Sequence, residues 1–300
     1  MPDTFKSGFV AIIGRPNVGK STLLNSIIGQ KIAIMSDKPQ TTRNQIRGVY
    51  TSDQVQAVFV DTPGIHKPKH KLGQYMVEAA LGTLKEVDLI LYVVDVTMEF
   101  GTGEEYIINQ LKQVKTPVIL VLNKIDLIKK EKLLELIALY SSRYEFAEIV
   151  PISAAQKENL DELLKVLPTY LPEGPQFYPE DMITDQPEQQ VIAEIIREKV
   201  LFLTREEVPH SVAVKVETIA SRGSATTYIG AVIYVERDSQ KGIIIGKQGQ
   251  MLKEIGRLAR QELEVILGTK IYLELWVRVK PDWRSREQDL RSFGYKEIHE

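Results

Sequence analysis

The length, charge and composition of the chain already exclude several classes of protein. Its 300 residues carry a formal net charge of −2 with a pI near 6.2, so it does not coat nucleic acid by bulk positive charge, and its length favours about two domains. It has no cysteine, which excludes disulfides and thiolate metal sites. No run approaches the roughly 18 apolar residues of a membrane span, and residues 1–4 lead almost directly into a strand. We therefore expect a cytosolic protein.

Short apolar runs alternate with amphipathic segments in the first half of the chain. The runs are Phe9–Ile13, Ala57–Val60, Leu89–Val94, Val118–Leu122 and Ile149–Ile152. Continuous apolar strands separated by helix-length patterns are typical of a parallel sheet that is covered on both faces. We predict an α/β, doubly wound first domain at residues 1–170.

The first motif follows the first strand and opens a helix. It is Gly14-Arg15-Pro16-Asn17-Val18-Gly19-Lys20-Ser21, which fits the phosphate-binding pattern GxxxxGK[ST]. Its glycines let backbone N–H groups wrap phosphate oxygens, and the helix amino terminus adds a favourable dipole. We predict that Lys20 bridges the β- and γ-phosphates and that Ser21 binds Mg²⁺.

Two further segments could respond to a γ-phosphate. The loop Pro39-Gln40-Thr41-Thr42-Arg43 lies between the first helix and the next strand. Thr42, with Thr41 as second choice, is the predicted Mg²⁺ ligand, and the alternative is a plain polar surface loop. The second segment is Asp61-Thr62-Pro63-Gly64, followed by Ile65. It ends a strand that aims Asp61 at the metal through water, with the Gly64 amide facing the γ-phosphate; alone it could be only a turn.

The base is selected by a motif after the fourth predicted strand. This motif is Asn123-Lys124-Ile125-Asp126. The Asp126 carboxylate can accept two hydrogen bonds, from N1–H and the 2-amino group of guanine, and adenine offers neither donor. Because an unpaired buried polar group gives discrimination of about 10⁴ or more, the motif predicts GTP over ATP. Ser153 and Ala154, after the last strand of the domain, can add a backbone N–H to the guanine oxygen.

The pattern changes after several closely spaced prolines. Pro172, Pro175 and Pro179 lie between Pro168 and Pro187, and this density excludes a continuous helix or central strand, so we place a linker at residues 171–187. Residues 188–281 then predict an α-β-β-α-α-β order, and a tail follows at 282–300. The predicted elements are a helix at 188–203, strands at 212–218 and 229–235, a helix ending near 267, and a strand at 270–279.

A Gly-x-x-Gly loop lies between the two middle helices of this second domain. Such a loop in KH domains grips the backbone of about four single-stranded nucleotides. Lysines and arginines at 241, 247, 253, 257 and 260 surround it, with Glu254 as the nearby acid. Alone, the loop is a weak signal, and a charged helix is usually a solvated face. The predicted RNA-binding residues are Ile245, Gly246, Lys247, Gln248, Gly249, Lys253 and Arg257.

The nucleotide motifs in this order resemble the translation-factor class of P-loop GTPases. Gly14–Ser21, Lys38–Arg43 and Asp61–Pro68 are similar to the corresponding stretches of the bacterial Era GTPases. The second domain resembles the type II KH fold, and residues 275–284 are similar to the Era carboxyl end. The resemblance therefore covers essentially the whole chain.

The resemblance to Era implies a GTP-hydrolysing switch that binds the 3′ region of 16S rRNA. It implies a role in maturation of that RNA and in assembly of the 30S subunit, with Mg²⁺ as cofactor and GTP or GDP as ligand; we predict no DNA partner. It also implies peripheral association with the cytoplasmic face of the cell membrane, although the sequence shows no lipid anchor or basic amphipathic helix.

Hydrolysis is expected to be slow. Ras-type GTPases place a glutamine, which orients the attacking water, where this chain has Ile65. Asn17 occupies the position that ligates a monovalent cation in related potassium-stimulated GTPases, so K⁺ is a possible second cofactor. Arg15 and Arg43 could donate charge, but we expect them to be solvated loop arginines.

Other hypotheses and uses of residues stay open at this point. A modification or metabolic GTPase whose second domain binds protein is disfavoured by the lysines around the loop 246–249. A P-loop kinase or ATPase is disfavoured by the motif ending at Asp126. Tyr272, Trp276 and Trp283 could stack on bases, but aromatics on an apolar strand more often belong to a core, so we predict no base contact for them.

Overall fold

A computed structural model of the protein describes residues 5–38, 40–65, 68, 70–222 and 226–295. Pro39 of the predicted switch loop and His66 and Lys67 of the Era-like stretch lie outside the described residues, as do residues 1–4 and 296–300. Contacts divide the chain into two units. The first comprises the described residues of Met1–Ala33, Thr42–Pro68 and Gly73–Asp185, and the second those of Ile34–Thr41, Lys69–Leu72 and Gln186–Glu300.

The first unit is built on a six-stranded sheet. Its order is β2-β3-β1-β4-β5-β6. The strands are β1 Lys6–Ile13, β2 Ile46–Thr51, β3 Val55–Asp61, β4 Leu89–Asp95, β5 Val118–Asn123 and β6 Glu148–Ile152. All strands except β2 are parallel. Because the carboxyl ends of parallel strands lie at one edge of a sheet, the loops after β1, β3, β5 and β6 share that edge.

The strand β2 is missing from the sequence prediction and runs antiparallel to β3. It lies at the edge of the sheet, and its sequence includes the exposed Arg47 and the small Gly48. A strand that is buried on both faces is a continuous apolar run, whereas an edge strand of mixed polarity has no such run to recognise. The predicted doubly wound architecture is confirmed, but the sheet is mixed.

Helices cover both faces of this sheet. They are α1 Lys20–Ile28, α2 Lys71–Thr83, α3 Thr102–Leu111, α4 Lys130–Ser141 and α5 Leu160–Tyr170. Side chains alternate along β1, so Val10 and Ile12 join the core cluster under α1 and α5, while Ala11 and Ile13 join the cluster under α3 and α4. The sheet is therefore buried on both sides.

The proline-rich segment after α5 packs along the first unit. The Ser7 amide donates to the Pro172 carbonyl at 3.0 Å, and the Val49 amide donates to the Ile183 carbonyl at 2.9 Å. Gln56 is buried and its Nε2 donates to the Tyr178 carbonyl at 2.9 Å. These bonds explain why the segment groups with the first unit as far as Asp185. The domain limits given above remain predictions.

The second unit is a three-stranded sheet with helices on one face. Its order is β7-β8-β9, with β7 antiparallel and β9 parallel to β8. The elements are α6 Glu188–Leu203, α7 Val208–Ser211, β7 Ala213–Ser221, β8 Thr226–Val235, α8 Asp238–Ile245, α9 Gln250–Leu267, β9 Lys270–Val279 and α10 Glu287–Ser292. This confirms the smaller α+β domain of KH type, with the short α7 added.

The aromatic residues of the second unit have different environments. Trp283 is buried, and its Nε1 donates to the Ser211 carbonyl at 2.9 Å, so it belongs to the core as expected. Tyr272 and Trp276, in contrast, are exposed, and the expectation that they are core residues is wrong. They lie on the sheet face that the helices leave open. Among the described residues, no helix is both long and apolar enough to cross a membrane.

Candidate nucleotide-binding site and nucleic-acid interface

The loop between β1 and α1 requires glycine at two positions. Gly14 has φ +151°, and a Cβ there would lie 2.3 Å from the Val93 carbonyl oxygen. Gly19 has φ +101°, and its Cβ would lie 2.2 Å from Asn123 Nδ2. Both backbone conformations disfavour any side chain. The loop is therefore packed tightly against β4 and against the end of β5.

Lys20 begins α1 and turns back over this loop. Its Nζ donates to the carbonyl oxygens of Gly14 at 3.2 Å and Arg15 at 2.8 Å. Burial lowers the pKa of Lys20 to about 8, and the charge of Asp61 opposes that shift. A buried ammonium group held inside a loop of backbone N–H groups is suited to bind phosphate oxygens.

Three oxygen-bearing side chains meet where the metal is predicted. Ser21 Oγ donates to Asp61 Oδ2 at 2.7 Å and lies 2.8 Å from Thr42 Oγ1. Thr42 Oγ1 is 3.3 Å from the same Asp61 oxygen. Asp61 Oδ1 is buried and has no hydrogen-bond partner among the described residues. Two hydroxyls and a carboxylate with a spare oxygen form the all-oxygen donor set that a hard divalent cation such as Mg²⁺ prefers.

Burial has the largest effect on the pKa of Asp61, the carboxylate of this cluster. It raises the pKa of Asp61 to about 6, while Lys20 and the hydrogen bonds from Ser21 and Thr42 act to lower it. A carboxylate that is buried with incomplete compensation gains from a cation placed beside it. The raised pKa of Asp61 and the three oxygen donors therefore lead to the same conclusion: the cluster favours a bound cation.

The structure distinguishes the two candidate threonines and corrects the expectation for the next residue. Thr41 Oγ1 donates to the Lys38 carbonyl at 2.6 Å, so its hydroxyl is used within its own loop, whereas Thr42 meets Ser21 and Asp61. Arg43 is buried, with a relative exposure of 1%. The expectation of a solvated arginine at position 43 is therefore wrong.

The segment after β3 lies directly against the phosphate-binding loop. A Cβ at Gly64 would lie 2.7 Å from the backbone nitrogen of Pro16. The Ile65 amide donates to the Gly14 carbonyl at 3.1 Å, and its side chain belongs to the buried core cluster that also includes Ala80 and Leu84. The side chain of Ile65 is thus committed to the core, and it has no polar atom with which to orient a water molecule.

Asn123 at the end of β5 joins three loops of the site. Its Nδ2 donates to the Val18 carbonyl at 2.8 Å. Its Oδ1 accepts from the amides of Lys124 at 2.9 Å and Ala154 at 3.0 Å. The Asn123 side chain is buried, so the loops after β1, β5 and β6 share one polar brace. Asp126 follows in a 3₁₀ turn at Ile125–Leu127 and is exposed.

Asp95 is a contributor to the site that no motif indicated. It ends β4, and its Oδ2 accepts from Lys124 Nζ at 2.5 Å. The same ammonium group donates to the Asn17 carbonyl at 3.0 Å. Burial alone would raise the pKa of Asp95, but hydrogen bonds from Lys124 and Thr97 outweigh it and lower the pKa. The carboxylate thereby fixes the lysine against the phosphate-binding loop.

Arg15 is also held by a partner that the sequence did not reveal. Its Nη1 lies 3.0 Å and 3.2 Å from the two carboxylate oxygens of Glu104, a buried residue in the first turn of α3. Arg15 is therefore not the solvated loop arginine that was expected. A guanidinium engaged by both oxygens of a buried carboxylate is poorly placed to swing toward a phosphate.

The residues that precede Thr42 group with the second unit. The buried Arg197 of α6 donates to the carbonyl oxygens of Thr41 and, at 3.5 Å, Gln40. Glu198 Oε1 accepts from the Met35 amide at 2.9 Å. Helix α6 thus holds the backbone directly before the predicted Mg²⁺ ligand. A helical pattern alone does not distinguish these buried charges from surface ones, so sequence reasoning missed them.

The Gly-x-x-Gly loop joins α8 to α9 and depends on unusual backbone conformations. Gly246, Gln248 and Gly249 have φ values of +71°, +53° and +76°. The Gly249 amide donates to the Gly246 carbonyl at 3.2 Å. The side chains of Lys247 and Gln248 are exposed. A Cβ at Gly249 would meet nothing within 4 Å, so a ligand backbone can approach this side of the loop.

The positive charge beside this loop is smaller than the sequence suggested. Arg257 donates to both carboxylate oxygens of Glu254, at 2.6 Å and 2.8 Å, which ties up a charge that was predicted to face RNA. Lys247 and Lys253 are exposed and make no ion pair with the described residues. The predicted basic patch therefore keeps these two lysines and the exposed Arg260, which makes no ion pair with the described residues either. Ile245 is partly buried and packs against the core.

Comparison with known proteins matches both units. A family described as 50S ribosome-binding GTPase matches residues 9–124, and the KH domain family matches residues 207–284. One similar solved structure is Era in complex with MgGDPNP and nucleotides 1506–1542 of 16S ribosomal RNA. Another is a single-residue variant of Aquifex aeolicus Era bound to GDP·AlF4⁻. Each is 50% identical, covers 98% of this chain and 100% of its own, and has a TM-score of 0.95.

Proposed function

The chain belongs to the Era family of GTPases, and from this premise we propose that it is a GTP-controlled, RNA-binding ribosome assembly factor. It binds GTP, hydrolyses it to GDP and phosphate, and carries a KH domain. Its RNA ligand is the 3′ region of 16S rRNA, and its role is to assist maturation of that RNA and assembly of the 30S subunit. The observation that carries the RNA assignment is the loop Gly246–Gly249, with the exposed Lys247 inside it and the exposed Lys253 in the helix that follows.

The nucleotide is held by the loops at the carboxyl edge of the six-stranded sheet. The loop from Gly14 to Ser21 wraps the phosphates, and the Asp126 carboxylate accepts hydrogen bonds from guanine. Ser153 and Ala154 were predicted to offer a backbone N–H to the base, but their amides donate inside the protein, to the Glu158 carbonyl and to Asn123 Oδ1. Ser21, Thr42 and Asp61 would hold Mg²⁺. When bound, the ion neutralises charge on the β- and γ-phosphate oxygens. Thr62, Pro63 and Gly64 complete the contact beside the γ-phosphate.

Hydrolysis in this site is slow without a further positive charge. Ile65 is buried in the core, and Arg15 is paired with Glu104, so neither supplies the water-orienting group or the arginine finger of faster GTPases. The Asn17 side chain would hold K⁺ beside the phosphates, and the ion would supply part of that positive charge. GTP turnover in K⁺ and in Na⁺ at matched ionic strength tests this, with Asn17→Ala as the variant. Equal wild-type rates in the two salts would remove K⁺ from the proposal.

The switch depends on the loops that reach the γ-phosphate. GTP with Mg²⁺ orders the backbone around Thr42 and Gly64, and hydrolysis releases it. Arg197 of α6 donates to the Thr41 carbonyl and Glu198 accepts from the Met35 amide. The backbone next to Thr42 is therefore attached to the first helix of the unit that carries the RNA loop. This attachment supports a nucleotide-dependent affinity for RNA.

The decisive experiment measures RNA affinity in both nucleotide states. A single-stranded oligonucleotide copying the 3′ end of 16S rRNA is titrated with the protein loaded with a GTP analogue or with GDP. Gly249→Asp places a negative charge in the loop. Gly268→Asp is the matched control, since Gly268 has φ +63°, has nothing within 4 Å of its Cβ position and lies at the other end of α9. Tight, nucleotide-sensitive binding that only Gly249→Asp abolishes is expected. Weak binding that ignores both nucleotide and mutation would refute the RNA assignment.

The resemblance to Era also supports a proposal for the cellular location. The protein resides in the cytoplasm and associates peripherally with the cytoplasmic face of the cell membrane. Flotation with vesicles of anionic phospholipid, at low and at physiological salt, tests the membrane part of this proposal. Recovery of all the protein in the dense fraction at both salt concentrations would remove that part.

A further inference from the structure

The sheet of the second unit has one face that helices α6, α8 and α9 leave open. The core cluster of this unit takes Ile229, Ala231 and Ile233 from β8, and it takes the odd-numbered residues of β9. Because side chains alternate along a strand, the even-numbered residues point to the opposite side. Tyr272 is 49% exposed and Trp276 is 38% exposed on that side. Exposed aromatics that lie together on one face, in contrast to single exposed residues, mark an interaction surface.

The aromatics of the open face form a connected group with an arginine. The rings of Tyr228 and Tyr272 are stacked, with centroids 6.0 Å apart and an interplanar angle of 20°. The Arg222 guanidinium lies 4.3 Å from the centroid of Tyr272. A Cβ at Gly230 would lie 3.1 Å from Tyr228 Oη and 3.3 Å from Trp276 Cζ3. The glycine therefore lets these rings approach the backbone of β8 closely, and the face is flat and aromatic.

The carboxylates on this face are already engaged within it. Tyr228 Oη donates to Glu274 at 2.8 Å, and Arg278 lies 3.5 Å from Glu217. Arg222 and Lys215 are exposed, and neither makes an ion pair with the described residues. Glu274 keeps its negative charge, because the tyrosine hydroxyl is neutral, but Arg222 and Lys215 together outweigh it. The net charge that the open face presents to a ligand is therefore positive.

The carboxyl-terminal segment covers a different part of the same face. Phe293 lies 4.9 Å from Tyr234 between ring centroids, and Lys280 Nζ lies 5.2 Å from the Phe293 ring. Tyr234 is near the end of β8, whereas Tyr228 is near its start. The tail thus packs on one end of the sheet and leaves Tyr272 and Trp276 exposed.

We propose that this open face, defined by Tyr228, Tyr272, Trp276 and Arg222, is a second RNA-binding surface that stacks unpaired bases next to those gripped by the loop Gly246–Gly249. The inference rests on the proposed function. A Gly-x-x-Gly loop holds about four nucleotides, and a ligand as long as nucleotides 1506–1542, bound by the similar Era, extends far beyond it. Aromatic rings and arginine planes that carry positive charge are the chemistry that binds single-stranded RNA.

The position of β9 allows a continuous path for the RNA. β9 is the edge strand of the sheet. Leu275 faces α9, since a Cβ at Gly256 would lie 3.5 Å from its Cδ1, and the neighbouring Trp276 faces the open side. An RNA that leaves the helix side has to pass only one strand to reach Trp276.

The test compares a long RNA with a short one. The long probe has the sequence of nucleotides 1506–1542 of 16S rRNA, and the short probe is its shortest truncation that still loses binding in Gly249→Asp. Loss of one base stack corresponds to about a 5- to 150-fold weaker affinity. Tyr272→Ala and Trp276→Ala are each expected to lower the affinity for the long probe by that factor. The affinity for the short probe should stay within about twofold of wild type. Tyr272→Phe and Trp276→Phe keep a ring and retain long-probe affinity.

A matched control and separate outcomes keep this inference distinct from the proposed function. Phe202→Ala removes an aromatic that is 76% exposed on α6, away from the open face, and it leaves both affinities unchanged. Unaltered long-probe binding in the Tyr272 and Trp276 variants would overturn the inference and leave the face to a protein partner. An equal loss for both probes would also overturn it, because the rings would then act on the Gly-x-x-Gly site. If wild type binds neither probe, the proposed function fails with it.

Discussion

Two glycine-bordered loops of this protein each open a helix, but they are supported in different ways. The loop before α1 is braced from outside, by Asn123 on the Val18 carbonyl and by Lys124 on the Asn17 carbonyl. The loop before α9 is closed by its own backbone, between Gly249 and Gly246, and its side chains are exposed. A braced loop presents one fixed shape to one small ligand. An open loop can accept a polymer that lies across it.

The largest effect is expected when the shared brace of the nucleotide loop is removed. Asn123→Ala leaves the Val18 carbonyl and the Ala154 amide without partners in a buried setting, at a cost of about 1–3 kcal/mol each. We expect the free energy of unfolding of the first unit to fall by about 3–5 kcal/mol, and GDP affinity to fall by about 100-fold or more. Urea unfolding and a fluorescent-GDP titration measure the two effects.

The control for this prediction is an exposed asparagine in the same unit. Asn109 lies on the solvent side of α3, so Asn109→Ala changes helix propensity and little else. It should keep wild-type GDP affinity. Wild-type GDP affinity in Asn123→Ala would mean that the loop holds its shape without the brace, and the contrast between the two loops would be lost.

Burial of Asp61 beside the nucleotide loop lowers the stability of the nucleotide-free protein by an amount that depends on pH. Because burial raises the pKa of Asp61 from 3.8 to about 6, the folded state holds this proton more tightly than the unfolded state. The stability that protonated Asp61 contributes is present below about pH 4 and is lost as pH rises through about 6. At pH 7 the nucleotide-free protein therefore bears a cost of about 2–3 kcal/mol for this charge.

Asp61→Asn removes the buried charge, so comparing this variant with wild type measures the cost of that charge. In the absence of nucleotide and of divalent cations, the variant should gain stability relative to wild type as pH is raised from about 4.5 to about 7. Asp53→Asn, at an exposed position between β2 and β3, should show the same difference from wild type at both pH values. Urea unfolding at the two pH values gives the result. A constant gap between Asp61→Asn and wild type would show that the carboxylate is not strained by burial.

The same contrast explains what could be predicted from the sequence. The strands β1, β3, β4, β5 and β6 were predicted because a strand that is buried on both faces is a continuous apolar run. The edge strand β2 was not, because Arg47 and Gly48 interrupt its pattern. The α-β-β-α-α-β order of the second unit has strong local signals: the prolines before it, the helical periodicity and the glycines at 246 and 249.

The braces of the nucleotide site had no such local signal. Arg15 and Glu104 are separated by 89 positions, and Lys124 and Asp95 by 29. A charged residue on a helix or at a strand end looks the same in sequence whether it is solvated or paired. Only the fold brings the partners together, and for this reason Arg15 was wrongly expected to be solvated. Tyr272 and Trp276 were misjudged for the related reason that a strand pattern does not say which face a helix covers.

The smallest predicted effect concerns the open loop, where alanine substitutions at Gly249 and Gly268 are compared. Gly249 and Gly268 border α9 with φ values of +76° and +63°, and a Cβ at either position meets nothing within 4 Å. Alanine at either position should cost about 1 kcal/mol of stability, since the left-handed conformation is disfavoured for any side chain. Only Gly249→Ala should also weaken binding of the short probe, because its methyl group occupies the side from which a ligand backbone approaches.

Equal stability losses with equal RNA affinities would mean that the RNA does not approach this side of the loop. A much larger stability loss at Gly249 would mean that this loop, like the one before α1, is held by its surroundings.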